Sequence, residues 1–210
     1  MRKLARIVVL AVLFTPALAS AQLSLGARLG YGFAMGELGG GGDVADILKA
    51  QIPIQLDLGY RVTPALTLGG YFAYGFGRVG GDFEDVCDLD GVECTGRVYR
   101  VGLQLDYAFR GPSATPWLGA GFGYEWTSFT GEGPGGEAEF SFRGIEFLNL
   151  QGGLDWKVGD RFSIGPFALL SVGQFSRYSV DAGDTDESGE VPDQAFHQWL
   201  QLGVRGRFDL

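Results

Sequence analysis

The chain has 210 residues, 36 of them glycine, and sets 16 basic against 25 acidic side chains, a net charge of −9. That acid excess excludes the basic footprint that nucleic-acid phosphates require. Length points to one domain, and no segment beyond the first 21 residues reaches the roughly 20 apolar residues of a spanning helix.

Residues 1–21 read as a cleavable secretory signal. Arg2, Lys3 and Arg6 form its positive start, Ile7 to Phe14 its apolar run, and Pro16 breaks that run. Ala19-Ser20-Ala21 supplies the small residues for cleavage after Ala21, leaving residues 22–210 as the mature domain. The signal holds 3 of the 16 bases and none of the 25 acids, so the mature domain sets 13 bases against 25 acids, a charge of −12. No cysteine follows the cleavage site, which argues against lipid anchoring.

Eight segments with period-two alternation follow, the pattern of strands with one face apolar. The first presents Leu23, Leu25, Ala27, Leu29, Tyr31 and Phe33 on one side and Ser24, Gly26, Arg28 and Gly30 on the other. The second sets Ile52, Ile54, Leu56, Leu58, Tyr60 and Val62 against Gln55, Asp57, Gly59 and Arg61. Leu66 to Phe76 form the third. Tyr99 to Phe109 form the fourth, with Arg100, Gly102, Gln104, Asp106 and Arg110 on its polar side. The fifth runs from Leu118 to Trp126 with Glu125 on the polar side, and Gly119, Gly121 and Gly123 share that face as packing relief. Leu148 to Trp156 carry the sixth, with Asn149, Gln151, Asp155 and Lys157 opposite; Glu146 falls in the apolar phase, so it is expected above the bilayer or beside a bulge. Phe162 to Val172 form the seventh, and Gln174 and Phe175 break its phase. The eighth sets Leu200, Leu202, Val204, Gly206, Phe208 and Leu210 against Trp199, Gln201, Gly203, Arg205, Arg207 and Asp209.

Short connections (Thr63-Pro64, Gly111 to Pro116, Val158 to Arg161) alternate with longer ones near 35–51, 78–97, 128–140 and 178–195. Recurrent alternation after an export signal predicts an all-β fold: an eight-stranded antiparallel up-and-down transmembrane barrel, apolar outside and polar inside, with short periplasmic turns and four longer external loops. Aromatics near strand ends, such as Tyr31, Tyr74, Phe76, Trp126 and Trp156, suit interfacial girdles.

On these residues the chain resembles the small eight-stranded outer-membrane barrels of the OmpA/OmpX type and the wider outer-membrane β-barrel domain families. The resemblance covers residues 22–210 and lies in architecture, with no sequence motif behind it. It implies the outer membrane of a Gram-negative-type bacterium, outer-membrane lipid as surroundings, and delivery by the outer-membrane assembly machinery through the C-terminal strand. That strand ends Phe208-Asp209-Leu210, its aromatic two residues earlier than the family's terminal one.

A barrel of eight strands is just wide enough for side chains to fill, and buried charges must pair. Arg28, Asp57, Arg100, Asp106, Glu125, Asp155 and Arg205 are therefore expected to form a cross-barrel network, with Asp57, Asp106 and Glu125 facing Arg100, Arg205 or Arg28. The loops hold 18 of the 25 acidic residues. That cap keeps the surface soluble, and it is also the place where divalent cations or a basic partner would gather. Asp88, Asp90 and Gly91 match only a fragment of a calcium loop. Cys87 and Cys94, the only cysteines, are expected to close a disulfide in this exported loop. In the first loop Asp43 is placed to cap a short helix carrying Val44, Ile47 and Leu48, lying across the barrel mouth or resting on its rim.

His197, the only histidine, reads as a rim residue, with no nucleophile signature beside it. No enzyme and no cofactor is expected. The reading is a monomeric barrel with a structural or surface-interaction role in envelope integrity, adhesion or recognition. A narrow porin-like channel for ions or small solutes is the first alternative, and a secreted soluble lipid-binding barrel the second.

Overall fold

A computed structural model describes residues 23–210 apart from 82, 83, 112, 135 and 184. The expected secretory signal and cleavage after Ala21 lie outside the described residues, as does Asp82 of the second loop. Ten strands run in chain order: β1 (Leu23–Gly39), β2 (Gly42–Asp43), β3 (Leu48–Arg61), β4 (Leu66–Val79), β5 (Glu93–Ala108), β6 (Ala114–Gly133), β7 (Gly136–Lys157), β8 (Phe162–Ala182), β9 (Thr185–Glu190) and β10 (Phe196–Asp209). Single helical turns occupy Val44–Ile47 and Glu84–Cys87.

Eight of the strands form a closed antiparallel ring in the order β1, β3, β4, β5, β6, β7, β8, β10 and back to β1. Closure is by the ladder from Ser24↔Asp209 to Gly36↔His197, finished where the Leu210 amide donates to the Leu23 carbonyl at 2.8 Å. Ring closure satisfies strand backbone within the barrel, which hydrocarbon surroundings demand. At the short-turn end the Val62 amide donates to the Leu66 carbonyl at 2.9 Å, and the Val158 amide to that of Phe162 at 2.8 Å.

The outward face is apolar through the ring. Leu29, Leu56, Leu118 and Phe122 are each between 57% and 60% exposed, a surface made for lipid rather than water. No charged residue interrupts the outward sets of the ring at this level, where a midplane Arg or Lys would cost about 2–4 kcal/mol. This polarity is the reverse of a soluble lipid-binding barrel, and it sets that alternative aside.

The long connections differ from the sequence expectation. Residues 128–133 and 136–140, expected in a loop, are strand: β6 and β7 stay paired from Ala114↔Trp156 to Gly133↔Gly136. Likewise β8 runs to Ala182 and pairs with β9 from Arg177↔Glu190 to Ala182↔Thr185. The period-two pattern persists there, with Phe129 registered on Phe140 and Phe142 on Tyr178. Apolar side chains on one face carry the ladder past the membrane as a paired sheet.

Candidate functional site

The barrel interior brings together most of the polar residues named from sequence, at two levels beneath an apolar plug. In the level nearer the short turns, Arg28 donates through Nε to Asp57 at 2.7 Å and through a terminal nitrogen to Gln151. Arg205 lies beside it, registered on Arg28 across the β1–β10 ladder. Its two terminal nitrogens reach Asp155 at 2.5 Å and Asp106 at 3.2 Å, and its guanidinium covers the Trp117 ring at 3.4 Å from the centroid. Gln104 ties the level together, donating to Asp57 at 3.1 Å and accepting from Gln151 at 3.1 Å. Arg28 and Arg205 are each 2% exposed. Carboxylates, amides and an aromatic face surround both cations, as buried charge requires.

The second level is built around Arg100, Glu125 and Glu146, each 1% exposed. Arg100 stands 3.5 Å from Glu146, which also accepts from the Tyr71 hydroxyl. Arg100 is registered opposite Glu125, yet Glu125 turns to the other side of the lumen. There it accepts from Trp199 Nε1 at 3.0 Å and Thr127 at 3.2 Å and lies 3.6 Å from His197 Nε2. Tyr71 fits because β5 and β6 carry glycine where it crosses: a Cβ on Gly102 would stand 2.6 Å from its hydroxyl.

Of the two places open to Glu146, the structure takes the one beside a bulge: a bulge between Glu146 and Leu148 shifts the phase of β7, and Glu146 points inward. Two other residues depart from the sequence expectation. His197 is 1% exposed rather than on the rim, because the β10 ladder extends past it to Phe196. Its ring stacks on Phe175 with centroids 4.0 Å apart. Arg110, expected inside, lies beyond the end of β5 and is exposed.

Above this level sits the apolar plug. Val44 and Leu48, on and just after the helical turn at Val44–Ile47, pack with Leu38, Val98, Phe175, Val191 and Trp199. Leu48 is fully buried over Gly77, where a Cβ would stand 2.8 Å from its methyl. The turn is held by the Asp43 amide donating to Asp46 at 3.3 Å. Farther out, Cys87 and Cys94 are joined in a disulfide, with Cα atoms 5.6 Å apart. Lys49 pairs with Glu84 at 2.5 Å, and this bond holds the Glu84 carboxyl below its ordinary pKa. Among the described residues, no group of three or more His, Cys, Asp or Glu is arranged to hold a metal ion.

An eight-stranded closed barrel with an apolar exterior and a filled polar interior is the fold of small outer-membrane proteins. Solved structures agree. The chain is similar to a major outer membrane protein from Thermus thermophilus, at 17% identity over 90% of this chain and 100% of that one, TM-score 0.57. It is similar to the outer membrane protein AlkL determined in lipid bilayers, at 14% identity over 90% and 91% of the chains, TM-score 0.50. Neisserial surface protein A aligns at 15% identity over 89% and 97%, TM-score 0.48. No family model and no curated protein sequence matches the chain. At these identities the likeness is one of fold.

Proposed function

We propose that the chain is a filled, monomeric barrel of the outer membrane of a Gram-negative-type bacterium, with a structural and surface-interaction role in envelope integrity, adhesion or recognition. The observation that carries this reading is the stacked interior: a layer bridged by Arg28 and Arg205, a layer around Arg100 and Glu125, and the Leu48 plug above them. Side chains from opposite walls meet at each level, leaving the lumen to structure rather than to transport. The extended hairpins, rich in Glu and Asp, offer the interacting surface. The ring closes on its own C-terminal strand and needs no second copy; that strand also suits entry through the assembly machinery. No enzymatic role is proposed, since the Glu125–His197 pair lies sealed beneath the plug at 1% exposure.

Conductance of the purified barrel in a planar bilayer tests this. A silent membrane, with insertion checked independently, is the expected result. Steady current that changes on Arg100→Ala or Glu125→Ala substitution would instead make the polar interior a narrow channel for ions or small solutes.

A further inference from the structure

The outer rim of the barrel is acidic, yet on one side its outward face gathers arginines. Two neighbouring rows of registered residues cross the sheet there. The lower row reads Tyr74, Tyr99, Trp126, Arg143, Arg177 from β4 to β8. The row above it reads Phe76, Arg97, Ser128, Ser141, Ser179 over the same strands. Residues paired across a ladder point to the same face, and Trp126, Arg97, Arg143 and Arg177 are all exposed. Aromatic rings pack at the low end of this face: Tyr74 lies 5.0 Å from Tyr99 and 4.7 Å from Phe76, and Trp126 lies 4.6 Å from Tyr124. Such rings mark the level where hydrocarbon gives way to headgroups. The arginines thus stand where the phosphates of the outer leaflet lie.

A hollow of about 320 Å³ opens on this face, lined by Trp126, Ser128, Ser141, Arg143 and Ser179 among others. The hydroxyls of Ser141 and Ser179 hydrogen-bond each other at 2.7 Å, one row beyond Arg143 and Arg177 on the same two strands, which leaves one of the two O–H groups to donate outward. Four carboxylates share the neighbourhood. Glu139 lines the hollow two residues beyond Ser141, Asp181 and Asp186 continue its registered row across β8 and β9, and Glu190 faces Arg177 across the β8–β9 ladder. None of Arg97, Arg143 or Arg177 has a carboxylate within salt-bridge distance among the described residues. Guanidiniums with adjacent hydroxyls, level with an aromatic belt, are the chemistry that holds a phosphate monoester at a membrane surface.

We propose that this outward face of β5 to β8 binds the phosphate of an outer-leaflet glycolipid, its acyl chains lying along the aromatic and leucine surface below. The site rests on the outer-membrane placement above and adds a ligand to it. Native mass spectrometry of the intact protein, released from detergent micelles, gives the test. The probes are a diphosphoryl glucosamine-disaccharide lipid, its dephosphorylated form, and inorganic phosphate. A saturable adduct with the diphosphoryl lipid is expected, weakened at least about tenfold by removing the phosphates or by combining Arg97→Ala, Arg143→Ala and Arg177→Ala. Lys157→Ala with Arg161→Ala, at the opposite end, should leave it unchanged. Heat-modifiable gel mobility checks the fold of each variant, and Arg143→Gln alone, with at least a measurable loss, serves if the triple variant fails to fold. Equal retention of the dephosphorylated lipid, undiminished binding by a folded variant, or inorganic phosphate binding as tightly as the lipid would overturn the proposal. A protein recovered without detergent from the soluble fraction would overturn the membrane placement instead.

Discussion

Two buried arginines, Arg205 and Arg100, are exposed to only 2% and 1% and are held in different ways. Arg205 has Asp155 at 2.5 Å, Asp106 at 3.2 Å and the Trp117 ring against its face. Arg100 has Glu146 at 3.5 Å and, above its level, a hydrophobic plug. The same need, to fill a narrow lumen, is met by close ion pairs at one end and by apolar exclusion of water at the other. The turn-side half is therefore sensitive to loss of charge, and the mouth-side half to loss of volume.

Arg205→Met probes the first half most severely. It leaves Asp106 and Asp155 buried without their closest cation, and stripping one partner from a buried pair costs about 3–5 kcal/mol. Urea unfolding followed by gel mobility should show a lower midpoint, and an unchanged midpoint would mean the pairs are solvated in practice. Leu48→Ala probes the other half. It empties a fully buried site and should cost about 3 kcal/mol, within the range for buried leucine; a loss below about 1 kcal/mol would demote the plug to a loose cover. Gly102→Ala places a methyl against the Phe122 carbonyl and Tyr71 and should destabilise by about 1–3 kcal/mol through overpacking. If it is neutral, both the β5–β6 backbone and Tyr71 have room to move.

Outside the lumen the effects shrink. Cys87→Ser should quicken proteolysis within the Cys87–Cys94 loop and leave the barrel's unfolding midpoint in place, because the bridge closes only a short external segment. Smallest of all is the Lys49–Glu84 contact, which is open to solvent. Because Glu84 titrates below its ordinary value in the folded chain, its contribution is present above the unfolded pKa and fades as pH falls through the folded one. Lys49→Ala should move the Glu84 titration, read by NMR, back up toward the usual carboxylate range.

Much of this architecture is legible as alternation. Leu200 to Phe208 and Leu23 to Phe33 state their outward faces directly, and Arg28, Asp57, Arg205 and Asp106 fall on the opposite phase. Alternation half-hides a change of phase, which shows as Glu146 falling in the apolar set. Phe147 and Leu148 are adjacent, yet 47% and 41% exposed, because the bulge puts both outward and turns Glu146 in. The abrupt passage from Ile145-x-Phe147 to Leu148-x-Leu150 is a further sign. Partner choice is hidden too. Register places Glu125 opposite Arg100, but the direction its carboxylate takes is set by Trp199 and His197 from β10, 74 and 72 residues away in sequence. Sequence misplaces His197 itself, because nothing local marks how far a ladder continues into a polar segment.

The β8–β9 ladder has a further result. A ring has no free strand edge, but β9 ends the chain of pairing and so turns one flank of backbone donors and acceptors toward solvent. Such a flank invites strands of other molecules to add on and build aggregates. In β9 the six residues Thr185–Glu190 include Asp186, Glu187 and Glu190. Like charge would face like charge if two copies met edge to edge, so the acid of this hairpin also keeps neighbouring barrels from stitching together.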